Sequence, residues 1–174
     1  MEIVTLLASS PLLLTSLVLA IGLLVGSFLN VVIYRLPLMM QLEWKQQCQE
    51  LLSEAASSTE AETAAQPQEP FNLAVPRSRC PNCGHWIRAL ENIPVLSYLI
   101  LKGRCSDCHH AIPIRYPLVE LCTGLLSAFI AFQFGFSPLM LSVLLLTWVL
   151  IALTLIDFDH QLLPDSLTLP LLWL

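Results

Sequence analysis

Two groups of side chains in this sequence have types and spacings suited to chemistry. Cys80-Pro-Asn-Cys83 and Cys105-Ser-Asp-Cys108 are CxxC knuckles separated by 21 residues. Paired thiolates at such spacing wrap a tetrahedral Zn²⁺ at ~2.3 Å, as in a zinc ribbon. Two disulfides or a redox CxxC are the alternatives. No thioredoxin-like βαβ pattern surrounds either motif, and a reducing cytoplasm does not keep stable disulfides. Four thiolates leave no open coordination position, so the expected zinc is structural rather than catalytic. His85, His109 and His110 flank the knuckles as substitute ligands, while Cys48 and Cys122 read as small apolar residues.

The second group is Asp157, Asp159 and Asp165, within the stretch LIDFDHQLLPD at 155–165. Acidic side chains at a membrane boundary are costly unless solvated, paired or put to use. A carboxyl group half-withdrawn from water holds or shares a proton readily, as an aspartyl protease dyad requires. Asp157 is the deepest of the three. A water-exposed interfacial anchor fits Asp157 and Asp159 equally well on this window alone. The DxD metal site of a glycosyltransferase fits less well, because it belongs in a nucleotide-binding domain whose pattern is missing here.

The elements that position these groups follow from composition. The 174 residues are 56% hydrophobic and 12% charged, too apolar for a soluble domain of this size. No charged residue occurs from Ile3 to Tyr34 or from Leu121 to Ile156, and each run exceeds the ~20 residues of a spanning helix. The first is too long for a cleavable signal core and lacks a basic leader. Gln133-Phe-Gly-Phe-Ser-Pro138 breaks the second. Spans are therefore expected at 12–34, 117–134 and 139–157.

All eight Lys and Arg residues (Arg35, Lys45, Arg77, Arg79, Arg88, Lys102, Arg104, Arg115) lie between the first two spans. The positive-inside bias makes 35–116 a cytoplasmic loop, puts 1–11 on the far side and brings Asp157 and 158–165 to the cytoplasmic face. Residues 166–174 read as the start of a fourth helix, too short to cross ~30 Å, so a truncated larger protein is expected. The net charge of −5 adds little, since position carries the information.

Within the loop, Leu38–Glu54 suits an amphipathic helix, and 55–70 is a polar tether with no large apolar residue to pack. Residues 71–116 are too few to bury much core and call for a metal. No internal repeat is evident. Gly22 and Gly26 permit a close helix contact, and Asn30 suits a hydrogen bond across it. Arg35 is expected at the headgroups. Glu120 reads as a helix-start residue favoured by the macrodipole, or one that faces the same cavity as Asp157. The expected fold is all-α: a polytopic membrane protein with a small zinc-ribbon-like loop module.

Taken in order, GSFLNVVIYRLP (26–37), the two knuckles, ENIPVLSYL (91–99), RYPLVEL (115–121) and LIDFDHQLLPD resemble the bacterial type IV prepilin peptidases over nearly the whole chain. The resemblance implies an inner-membrane enzyme that cuts a short basic leader at the cytoplasmic face. It further implies methylation of the new amino terminus, usually Phe, with S-adenosylmethionine. Type IV prepilins or type II secretion pseudopilins would be the substrates, in a lipid bilayer and with no nucleic-acid partner. The family's first proteolytic aspartate maps onto Asp157, with Asp159, Pro164 and Asp165 as the supporting motif. Its second lies in a GxGD motif, and none of the six glycines here is followed by Asp. One carboxylate must activate water while another supplies a proton, so this chain alone is not expected to hydrolyse peptides. Methyl transfer is associated with the loop, near Lys102, Gly103 and Arg104, without an independent nucleotide-binding fingerprint. The competing readings are a zinc-containing membrane adaptor without catalysis and a methyltransferase alone.

Overall fold

A computed structural model describes residues 7, 9–55, 71–76 and 78–173. Apart from Ala55, the tether expected at 55–70 lies outside the described residues. In chain order the elements are α1 (Pro11–Ala55), a 3₁₀ turn (Ala89–Asn92), α2 (Leu96–Ile100), α3 (Arg115–Phe134), α4 (Pro138–His160) and α5 (Asp165–Leu172). Among the described residues there is no named strand, and α1, α3 and α4 are each long and apolar enough to cross a membrane.

The helix ends follow local chemistry. Ser137 caps α4 by accepting the Met140 N–H at 3.2 Å, and Pro138 takes a first-turn position where its missing N–H is harmless. At the other end Gln161 adopts the left-handed conformation and donates its N–H to the Asp157 carbonyl at 2.8 Å.

α1 differs from expectation. It does not stop near Tyr34 but continues through Pro37 to Ala55, fusing the expected span with the expected loop helix. Pro37 forfeits the backbone bond to the Ile33 carbonyl. Burial of its ring and flanking Leu, Met, Gln, Glu and Lys residues, all good helix formers, carry the helix past it. From Gln41 to Leu52 every residue is exposed.

Two buried clusters join the three long helices. One gathers Leu14, Val18, Ile130, Ala131, Met140 and Leu144. The other gathers Leu29, Ile33, Val119, Ala152 and Ile156. Between them α1 and α3 meet closely. A Cβ added to Gly22 would lie 2.6 Å from Ser127 Oγ, and one added to Gly26 would lie 2.7 Å from the Glu120 Cα. The small-residue spacing therefore does what it suggested. Ser127 Oγ donates to the Thr123 carbonyl at 2.7 Å and accepts the Trp148 indole N–H at 2.9 Å, which keys α4 to this contact. Leu24, Phe28, Leu125, Phe129 and Phe132 stay exposed, as side chains facing lipid would.

Candidate metal centre and aspartate mouth

The cysteine module is built twice from one local pattern. Cys80 N–H donates to the His85 carbonyl at 2.9 Å and Gly84 N–H to the Cys80 carbonyl at 2.9 Å. In the second knuckle Cys105 N–H donates to the His110 carbonyl at 2.9 Å and His109 N–H to the Cys105 carbonyl at 3.1 Å. Just outside, Ile87 N–H reaches the Ser78 carbonyl and Ile112 N–H the Gly103 carbonyl, while Arg79 bridges to Trp86 and Arg104 to Ala111. The corresponding turn residues Gly84 and His109 both have positive φ, 72° and 55°. These matches expose Arg-Cys-x-Asn/Asp-Cys-x-His-x-Ile at 79–87 and again at 104–112, a repeat contrary to the expectation of none. Its turns differ in sequence, Pro81-Asn82 against Ser106-Asp107, while the backbone hydrogen bonds around them match.

The repeat brings four sulfurs together, with all Sγ atoms within 4.8 Å of one another. Across the knuckles, Cys80 Sγ lies 3.7 Å from Cys108 Sγ and Cys83 Sγ 4.0 Å from Cys105 Sγ. A tetrahedron with ~2.3 Å Zn–S bonds has edges of ~3.8 Å, whereas a disulfide needs ~2.05 Å. All four are free thiols, with Cys80 and Cys105 buried, and the group could bind zinc.

The His110 backbone N–H and then the Asn82 side chain draw Cys108 down to about 6. Cys83 receives a lowering bond from the His85 backbone, but burial and the neighbouring sulfurs push it up to about 12. The described metal-ligand group contains no histidine. His85 Nε2 instead sits 3.3 Å from Glu91 Oε2. The Arg88 N–H, bonded to Glu91 at 2.9 Å, is the main influence holding that carboxyl below its ordinary range.

Gly103, expected near methyl transfer, closes the turn between α2 and the second knuckle. Its φ is +69°, its N–H donates to the Tyr98 carbonyl, and an added Cβ would lie 2.8 Å from Tyr98 Oη. Lys102 (φ 53°) and Arg104 flank it, both exposed. A separate cleft of about 430 Å³ opens between α1 and the loop, with Arg35, Ser78, Arg88 and Asn92 among its lining. Its size lies within the range of small-ligand pockets, and these side chains offer partners for polar ligand groups.

Two residues have tertiary partners that the sequence did not suggest. Arg35 is buried, and its guanidinium donates to the carbonyls of Asn72, Leu73 and Pro76. A cation that satisfies three carbonyls in this way fixes the entry to the module. Glu120 is also buried and accepts the Val95 N–H at 2.7 Å, so it clamps the ENIPVL stretch to α3. Asn30 Nδ2 donates to the Tyr116 carbonyl at 3.1 Å, the interhelical bond its type suggested.

Asp157 lies exposed in the last turn of α4, directly after the fully buried Ile156. Asp159 receives a two-pronged hydrogen bond from Arg115, with Arg115 Nη1 at 2.9 Å from Oδ1. The pair brings the start of α3 and the end of α4 to one level. Sequence reading had missed it, although an arginine opening one span and carboxylates closing the next was the available signal. Pro164 is buried, and Asp165 stands in the first turn of α5, where the macrodipole favours it.

Residues 20–134 match the family model of the bacterial peptidase A24 N-terminal domain. The chain is 56% identical over 168 residues to a prepilin leader peptidase/N-methyltransferase of Stutzerimonas stutzeri, covering 97% of this chain and 55% of that protein. It is 52% identical over 174 residues to one of Pseudomonas aeruginosa, covering 100% of this chain and 57% of that protein. A Neisseria gonorrhoeae protein of the same name is 52% identical over 154 residues, 88% of this chain and 51% of that protein. The chain thus spans about half the length of the curated relatives it matches. No solved structure matches it.

Proposed function

The chain belongs to the bacterial A24 peptidase family, and from that premise we propose that it is the N-terminal part of an intramembrane aspartyl protease. This enzyme removes the leader of type IV prepilins or pseudopilins and methylates the new amino terminus. The observation that carries the reading is Asp157: a carboxylate open to its surroundings at the mouth of a membrane helix, held there by buried Ile156 and by the neighbouring Arg115–Asp159 pair.

In the proposed reaction Asp157 and a second aspartate share the acid and base roles, one activating water while the other protonates the leaving amine. The resemblance assigns the second carboxylate to a GxGD motif, which this sequence does not contain. Asp159 is engaged by Arg115 and acts by positioning, with Pro164 and Asp165 setting the turn into α5. Inner-membrane placement with 35–116 in the cytoplasm is part of the same proposal, supported by the clustering of all eight Lys and Arg residues.

Cys80, Cys83, Cys105 and Cys108 would hold a Zn²⁺ whose closed shell stabilises the module rather than reacting. S-adenosylmethionine would supply the methyl group when bound. Lys102, Gly103 and Arg104 are the stretch that the resemblance associates with methyl transfer, and the cleft beside Arg88 and Asn92 offers further polar partners for the methyl donor's carboxylate and hydroxyls.

The test is Asp157→Asn in the full-length protein, reconstituted with a prepilin. Cleavage should fall by about 10²–10⁴-fold while bound zinc per chain stays at the wild-type level. Retained cleavage removes Asp157 from the mechanism. If a full-length protein binds prepilin yet neither shortens nor methylates it, the adaptor reading replaces this one.

A further inference from the structure

α2 is a helix of five residues with no buried member, although it lies in the middle of a folded module. Leu96, Leu99 and Ile100 are 57%, 64% and 76% exposed. Their i, i+3, i+4 spacing puts them on one helical face. An exposed cluster of large aliphatic side chains on so small a module calls for a partner.

Depth identifies that partner. The Val95 N–H, at the head of α2, is bonded to the carboxylate of Glu120. Glu120 is five residues inside α3, or ~7.5 Å along its axis at 1.5 Å per residue. Helical side chains lean back toward the N-terminus, so the head of α2 is tied beside the first turns of α3, near the Arg115–Asp159 pair, on a helix that is a candidate membrane span. An interfacial helix lies ~5–10 Å into the headgroup and acyl boundary. The exposed apolar stripe of α3 (Leu118, Leu121, Leu125, Phe129, Phe132) extends upward to Ile114, 71% exposed, just before the helix begins. Immediately after α2 come exposed Lys102 and Arg104, cations placed where the chain turns back toward water.

We propose that α2 and the turn after it form an in-plane membrane anchor. Leu96, Leu99 and Ile100 enter the interface of the bilayer, and Lys102 and Arg104 meet anionic phospholipid headgroups. The module then rides on the membrane surface instead of hanging free on its flanking chain segments. The inference needs α3 to span the membrane and does not depend on the proteolytic reading.

The experiment uses the full chain in phosphatidylcholine vesicles containing phosphatidylglycerol. A photoreactive p-benzoylphenylalanine replaces Ile100, Phe129 or Gln49 in turn, and phospholipid adducts are read by mass spectrometry. Phe129 faces outward on α3. Gln49 is exposed on α1, 19 residues past Asn30, whose side chain marks the level of Tyr116; that places it ~28 Å further along the helix. Adducts are expected at Ile100 and Phe129 and not at Gln49, and omission of phosphatidylglycerol should lower the yield at Ile100 but not at Phe129. Adducts at Phe129 without any at Ile100 overturn the proposal. So do cross-links from Ile100 to a second copy or to added prepilin in place of lipid. A yield at Ile100 indifferent to phosphatidylglycerol overturns the headgroup role of Lys102 and Arg104. Loss of cleavage in Asp157→Asn has no bearing on any of these readings, so the two failures remain distinguishable.

Discussion

The cysteine module and the aspartate mouth stand about 50 residues apart in sequence and organise their chemistry in opposite ways. In the module, four sulfurs come from one contiguous stretch, and two turns with matching hydrogen bonds set their geometry. At the mouth, Asp157 is offered by the end of one helix and Asp159 is occupied by Arg115 from another, and the proposed reaction calls for a second carboxylate beside Asp157. A structural site can be closed locally; a catalytic one stays open so that substrate and a second acid can reach it.

Withdrawing the metal gives the sharpest break between the two regions. Zinc binding by such peptides supplies ~10–16 kcal/mol of apparent free energy, more than a 46-residue loop could recover by packing. Chelation, or Cys105→Ser, should make 71–116 sensitive to proteolysis, while the α1–α3–α4 packing and its helical circular dichroism persist. If the helices melt together with the module, the two regions are one cooperative unit and the contrast fails.

Next in size is Asp157→Asn, read as free energy of activation. Loss of one partner in acid–base catalysis lowers the rate by about 10²–10⁴-fold. The thermal midpoint should stay within a degree or two of the parent value, because an exposed side chain with no side-chain bond among the described residues leaves stability nearly unchanged. A large fall in midpoint would mean that Asp157 supports the fold.

These two regions were also unequally legible in the sequence. Cysteine spacing alone picked out the four thiols that the fold brings together, because tetrahedral geometry restricts which thiols can converge on one ion. Charge-free runs defined three helices, because lipid restricts length and composition. What escaped were tertiary uses of polar groups: Arg35 capturing three loop carbonyls, Glu120 clamping Val95, and Arg115 reaching Asp159. Each joins residues more than 20 positions apart, and no local periodicity encodes such a pairing. The continuation of α1 through Pro37 escaped for another reason: a proline signals a break, and burial overruled it.

Within the module, the repeat permits a smaller and more exact comparison of two glycines. Gly84 and Gly103 both have positive φ, but an added Cβ meets nothing within 4 Å at Gly84 and the Tyr98 ring at Gly103. Gly84→Ala should cost about 1 kcal/mol in backbone strain alone. His109 already occupies the corresponding turn at φ 55°, so a side chain is tolerable there. Gly103→Ala adds overpacking against a rigid ring, typically a further ~1–3 kcal/mol. Metal-dependent protease resistance of the module should therefore fall more for Gly103→Ala than for Gly84→Ala. Equal losses would show that conformation, and not the approach of Tyr98, dictates glycine at Gly103. If Gly103→Ala lost methyl transfer while retaining full protease resistance, the residue would belong to the chemistry after all.

Only a small effect on stability is expected at the Arg115–Asp159 pair, and it bears most directly on which carboxylate works. The side chains are 45% and 23% exposed, and ion pairs so accessible to water contribute about 0–1 kcal/mol. Arg115→Gln or Asp159→Asn should therefore move the thermal midpoint little, and high salt should erase most of the difference. Yet the bond aligns the start of α3 with the end of α4, so its loss should reduce cleavage measurably while leaving far more activity than Asp157→Asn. Arg115→Asp combined with Asp159→Arg restores the attraction and should recover part of that activity. If Asp159→Asn instead silences cleavage as completely as Asp157→Asn, and the reversed pair recovers nothing, Asp159 is more than a positioning group. The division of labour at the mouth would then have to be redrawn, with Arg115 holding a reacting carboxylate in place.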